Sequence, residues 1–69
     1  MATLKQLRLQ AHLSIAELSR LANVDRKTVE RAENGNPVQD AKAYAIVDAL
    51  AQQLGREIAL EDVDGLNIL

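Results

Sequence analysis

Ser14-Ile15-Ala16-Glu17-Leu18-Ser19-Arg20-Leu21-Ala22-Asn23-Val24-Asp25-Arg26-Lys27-Thr28-Val29-Glu30-Arg31-Ala32-Glu33-Asn34 is the stretch on which the fold turns. Its first four residues form a capping-box pattern. The Ser14 hydroxyl can accept from the Glu17 amide while the Glu17 carboxylate reaches back to the Ser14 amide. That opens a helix to about Ala22, with Leu18, Leu21 and Ala22 expected inward. Asn23 suits its end, because Asn tolerates the left-handed backbone better than most residues. Val24 then plugs a corner, and Asp25 is an expected N-cap for a second helix, Arg26 to about Glu33, that buries Val29 and Ala32. A corner of three residues, Asn23-Val24-Asp25, sets the two helices at a steep angle, so the second can protrude.

Outward from this unit the chain reads as helix on either side. Thr3 caps a first helix to about Ala11, in which Leu4, Leu7 and Ala11 share a stripe. Asn34-Gly35-Asn36-Pro37 is dense in turn formers. A fourth helix begins near Asp40 and runs to about Leu54, with Tyr44, Val47, Leu50, Ala51 and Leu54 as its apolar face, until Gly55 stops it. Leu60-Glu61-Asp62-Val63 makes one further helical turn ending near Gly65. Two readings of the apolar tail Leu66-Asn67-Ile68-Leu69 stand open: it folds back on the core, or it pairs as a strand across a dimer, since such a run is costly to leave wet. The expected fold class is all-α, a single four- to five-helix bundle over residues 1–69 with a short extended tail.

Composition narrows the function. At 69 residues the chain has little room for an enclosed cleft. With 48% apolar residues and Tyr44 as the sole aromatic, its core must be Leu, Ile, Val and Ala. Cysteine is absent, which removes disulfides, Cys-ligated zinc and thiol catalysis together. His12 stands alone and favours a helix C-terminal dipole or solvent. Asp62-Val63-Asp64-Gly65 shares part of a calcium loop but lacks the third early carboxylate and the distal Glu. No metal, cofactor or catalytic residue is therefore assigned, and an enzyme is not expected. No stretch approaches the roughly 20 apolar residues of a membrane span, and Met1-Ala2-Thr3-Leu4-Lys5 lacks a signal peptide's apolar run. A cytoplasmic protein is expected.

The net charge of −2 hides an asymmetry. Residues 1–31 carry six basic side chains (Lys5, Arg8, Arg20, Arg26, Lys27, Arg31) against three acidic ones. Residues 32–69 carry two (Lys42, Arg56) against seven. One basic half is the expected footprint of a nucleic-acid face. Within it, Arg26, Lys27 and Arg31 crowd onto one short helix, 25–33 counted with its cap. Such a helix fits the major groove, where Arg and Lys donate to guanine O6 and N7. Glu30 either accepts from a cytosine amine or orients Arg26, with which it also forms an i, i+4 pair.

Residues 13–35, closing on Glu33-Asn34-Gly35, resemble without a gap the helix-turn-helix of phage-repressor and Cro-type (XRE-like) transcription regulators. The resemblance extends to Leu4-Lys5-Gln6-Leu7-Arg8 and, more loosely, to Ala49-Leu50-Ala51-Gln52-Gln53-Leu54-Gly55. It implies a lambda-repressor-like DNA-binding domain with its helix-turn-helix at 14–34, and a sequence-specific regulator of phage or prokaryotic type, acting as a repressor on double-stranded DNA. It further implies base reading by Arg26, Lys27 and Arg31, backbone or flanking contacts by Ser14, Thr28 and Asn34, and a structural salt bridge between Arg8 and Glu33. A homodimer would read half-sites about one helical turn apart, with Leu66, Ile68 and Leu69 as candidate contacts. Ile15 departs from the family pattern, standing where many relatives have a phosphate-bonding Gln. Asn23 replaces the usual corner Gly, and Ser19 and Ala32 stand where Ala and Leu are common. A second function class uses the same fold: an antitoxin-like or anti-regulator protein-interaction module working through the acidic C-terminal half and apolar tail.

Overall fold

The computed structural model describes residues 2–69, so Met1, the first residue of the expected domain, lies outside the described residues. Four α-helices follow one another among the described residues: α1 (Leu4–Gln10), α2 (Ile15–Ala22), α3 (Arg26–Glu33) and α4 (Asp40–Leu54). A single 3₁₀ turn, Leu60–Asp62, comes after α4. Two short strands, β1 (Ala2–Thr3) and β2 (Val63–Asp64), pair in parallel, with Ala2 opposite Val63 and Thr3 opposite Asp64. The all-α bundle holds, with this small strand pair added at its edge.

Several helix boundaries have a local cause. Thr3 caps α1 in a capping box with Gln6: its hydroxyl accepts from the Gln6 amide at 3.2 Å, and its own amide donates to Gln6 Oε1 at 2.9 Å. Ser14 and Glu17 make the same reciprocal pair at the start of α2, at 3.0 and 2.9 Å. Asn23 ends α2 in the left-handed conformation, φ 57° and ψ 45°, and Gly55 ends α4 similarly at φ 69°. Asp25 occupies the N-cap of α3, but its side chain makes no capping hydrogen bond. Its backbone carbonyl accepts instead from the Thr28 and Val29 amides.

The core is built from small and branched aliphatics. Leu4, Leu7, Leu18, Ala22, Val29, Ala32, Ala43, Ile46, Val47 and Leu50 are buried, with Val38 and Val63 closing it from the loop and tail. Two expected core residues lie outside. Leu21 is 51% exposed and Tyr44 is 62% exposed. At about 100° per residue, the buried stripe of α2 centres on Leu18, Ala22 and Ser19, which leaves Leu21 on its flank. Ser19 can sit inside because its hydroxyl donates to the Ala16 carbonyl at 2.7 Å, so no polar group is left unmatched. On α4 the stripe is Ala43, Ile46, Val47 and Leu50. Tyr44, next to Ala43 in sequence, turns to the exposed side.

The tail folds back. The Val38 amide donates to the Asn67 carbonyl at 3.0 Å and the Leu69 amide to the Val38 carbonyl at 2.8 Å, making a parallel bridge between Val38 and Ile68. Leu66 packs against the core, while Leu69 remains 78% exposed. Of the two readings of the tail, its backbone takes the intramolecular one.

Candidate nucleic-acid interface

The outward face of α3 follows from its rotation. Val29 and Ala32 are the buried residues of this helix. With about 100° between neighbours, Lys27 points away from the core, Arg31 points outward but toward the loop to α4, and Arg26 and Glu30 lie on the side nearer α1. Thr28 lies on the opposite flank, toward the loop to α4. Arg26, Lys27, Glu30 and Arg31 are all exposed, and Thr28 is half-buried. Three cations therefore share one exposed surface with a single carboxylate of the helix. Glu33, the other acid of α3, is turned inward and engaged elsewhere.

Its partner is Arg8. The Arg8 Nε donates to Glu33 Oε2 at 2.5 Å and Nη2 to Oε1 at 3.2 Å, a two-pronged pair whose side chains are 10% and 8% exposed. Arg8 Nη1 also donates to the Leu13 carbonyl at 3.0 Å. One guanidinium thus ties α1, the α1–α2 loop and the end of α3 together, which fixes how far α3 stands off the body. The pair faces a groove of about 470 Å³ with Lys5, Ile15, Glu30 and Asn34 at its edges.

Ser14 and Asn34 are exposed at the first residue before α2 and the first after α3. The Ser14 hydroxyl is already an acceptor for the Glu17 amide. The hydrogen bond from the Ser14 backbone amide, then that from its hydroxyl group, holds the Glu17 carboxyl below its ordinary value of 4.5, with Arg20 adding to the effect. Ile15 is half-buried and offers no polar atom on that rim.

On the far flank of α3, a groove of about 170 Å³ runs between α3 and the start of α4, lined by Thr28, Arg31, Pro37, Val38, Gln39, Lys42 and Leu69. Arg31 Nη2 donates to the Pro37 carbonyl across it at 3.0 Å. The sequence reading overlooked Lys42, whose ammonium extends the cationic surface from α3 onto α4. Its signal was present: it is one of only two cations in the otherwise acidic second half.

A tight α2–corner–α3 pair and an exposed, cationic outer face of α3 are together on one side of the molecule. A family model described as a helix-turn-helix domain matches residues 2–62, most of the chain. The chain belongs to the helix-turn-helix domain family. This agrees with the resemblance to phage-repressor and Cro-type regulators. No curated protein and no solved structure matches the chain. For a helix-turn-helix domain the expected ligand is DNA, and α3 stands in the position of its second, recognition helix. Among the described residues no helix is long and apolar enough to cross a membrane.

Proposed function

We propose that this helix-turn-helix domain is a sequence-specific, double-stranded DNA-binding transcription regulator that acts as a repressor and reads the major groove with α3. The observation that carries this reading is the outward face of α3, where Arg26, Lys27 and Arg31 are all exposed around one carboxylate, Glu30. An arginine or lysine there reaches guanine O6 and N7, each good contact being worth about 1–3 kcal/mol of discrimination. Thr28 at the groove edge and Ser14 and Asn34 at the helix ends are the proposed backbone and flanking contacts. Lys42 adds a further phosphate contact in this reading. Arg8 and Glu33 stay out of the DNA contact and hold α3 in place.

A homodimer belongs to the proposal, with half-sites about one helical turn, roughly 34 Å, apart. The tail side chains open to a second copy are Ile68 and Leu69, since Leu66 packs on its own core. The overall negative charge sets the expected affinity. Phosphate neutralisation falls to a few side chains, so the logarithm of the binding constant should drop with log salt at a slope of about −0.9 per phosphate neutralised.

The test is selection of bound duplexes from a random pool by the wild type and by an Arg26→Ala, Lys27→Ala, Arg31→Ala triple variant. A guanine-containing motif enriched by the wild type and lost by the folded variant supports the reading. Equal enrichment at low salt would overturn it and favour a protein partner at the acidic C-terminal half.

A further inference from the structure

The loop between α3 and α4 is short, and the segment 67–69 is hydrogen-bonded to it at two places, Gly35 and Val38. Asn67 Nδ2 donates to the Gly35 carbonyl at 3.5 Å. The Val38 amide donates to the Asn67 carbonyl at 3.0 Å, and the Leu69 amide to the Val38 carbonyl at 2.8 Å. Pro37 sits between the gripped residues, and its carbonyl is the acceptor for Arg31 Nη2. Proline has no amide to hold it in place from its own side, so the position of that carbonyl is set by Val38. Leu69 itself lines the groove that holds Arg31 and Lys42.

We infer that the C-terminal segment is a positioning element for base reading: by pairing with Val38 it fixes the Pro37 carbonyl, and through it the direction in which Arg31 presents its guanidinium. This rests on the reading of α3 as the DNA-reading helix. An arginine has five N–H donors in a rigid fork. The Pro37 carbonyl engages one, on Nη2, and the others remain for a ligand. A long exposed side chain held in one orientation loses less freedom on binding than a free one. Selectivity at the base pair that Arg31 reads therefore depends on residues 67–69, although they lie more than thirty positions away in sequence.

Leu69→Pro isolates the bond. It deletes the amide that donates to Val38 while changing a side chain that is 78% exposed. It also keeps Ile68 in the extended region that its bridge already requires. Leu69→Ala is the control, because it removes the side chain, and with it any dimer contact, but retains the amide. The proposal expects Leu69→Ala to keep wild-type discrimination at the base pair that Arg31 reads, any loss through the dimer contact falling equally on all sequences. Leu69→Pro should lose about tenfold in discrimination at one base pair, the same pair at which Arg31→Ala loses it. In the Arg31→Ala background Leu69→Pro should then cost nothing more. Salt dependence should be unchanged, which a general loss of structure would not leave intact.

A DNA-free readout separates this inference from the functional reading. In nitrogen-15 spectra the Arg31 guanidinium N–H signals should show hindered rotation in the wild type and free rotation in Leu69→Pro. Unaltered Arg31 signals, unaltered selectivity, or additive losses in the double variant would each overturn the clamp. Absence of any selected motif in the wild type would instead overturn the DNA reading, and the inference with it. If Leu69→Pro fails to fold, a variant ending at Ile68, which lacks the same amide donor to the Val38 carbonyl, is measured in its place against the same expectations.

Discussion

Replacing Arg8 with alanine should come close to unfolding this domain. A chain of 69 residues, at about 0.05–0.15 kcal/mol per residue, has a total stability of roughly 3–10 kcal/mol. Arg8 and Glu33 form a two-pronged pair with side chains only 10% and 8% exposed. Removing one partner of such a pair typically costs about 3–5 kcal/mol, because the remaining charge stays buried without compensation. The expected loss is thus comparable with half the total or more. Urea unfolding followed by circular dichroism at the helix band is the assay, since Tyr44 is exposed and reports poorly on the core. With a slope near 1 kcal/mol/M for so small a domain, the midpoint should fall by about 3 M or more. The paired variant Arg8→Met with Glu33→Leu removes both charges and keeps apolar bulk. It should lie within about 1–1.5 kcal/mol of wild type, the residue being the lost hydrogen bond to the half-buried Leu13 carbonyl. A loss below about 1 kcal/mol for Arg8→Ala would place the pair in the class of surface salt bridges. A paired variant as unstable as the single one would show that the cost lies in packing and the Leu13 contact, not in a stranded charge.

Acidification should weaken the start of α2. The Glu17 carboxyl is held below its ordinary 4.5 by the Ser14 hydrogen bonds, so its contribution is fully present above that value. It is lost as pH falls through the lower, folded-state value. The stability difference between wild type and Glu17→Gln should therefore be constant at neutral pH and shift against the wild type only below 4.5; a change above neutrality would contradict this. Asp25→Asn should leave stability nearly unchanged, because the carboxylate makes no capping bond. It should tighten DNA binding by roughly twofold to fivefold, the scale of one exposed charge pair, as read by fluorescence anisotropy. Tyr44→Ala should stay within about 0.5 kcal/mol of wild type, whereas Leu50→Ala, at a fully buried position, should cost about 2–5 kcal/mol. Thermal unfolding ranks the two, and equal losses would reverse the assignment of the α4 face.

The parts of the fold legible in the sequence are those fixed by local chemistry. Ser14 with Glu17, Asn23 in the left-handed corner and Gly55 at the end of α4 each act within one helical turn, and each stands where the residue pattern places it. Helix facing was less legible, because apolar periodicity in short helices tolerates a rotation of half a residue step or so. Leu21 and Tyr44 look like core residues by size. The buried positions beside them went to the smaller Ser19 and Ala43. Size misleads where small residues take the core positions. The pairing of Ala2–Thr3 with Val63–Asp64, and of Val38 with Ile68, was not legible at all. Two-residue strands carry no alternation to detect, and their partners are distant in sequence.

The same division runs through the candidate interface. The cations of α3 could be gathered from sequence because one helix presents them, and rotation alone decides that Lys27 and Arg31 face outward. What holds them could not be gathered. The groove beside Arg31 is assembled from α3, the loop at Pro37, Lys42 at the start of α4 and Leu69 of the tail. A charge count marks the second half as acidic and so assigns it no part in binding an anion. Yet that half contributes Lys42 and the backbone that grips the loop. Most of its acids, including Asp48, Glu57 and Glu61, lie on α4 beyond its first turn or in the segment after it. Net charge sums over both faces of a molecule, whereas a duplex meets only one. A net charge of −2 is therefore compatible with DNA binding, because at 0.1 M salt the screening length of about 10 Å leaves the acids of the far face largely screened from the duplex. Moving a single acid to the far end of α4 should change affinity much less than moving it to the position of Gln39 or Lys42.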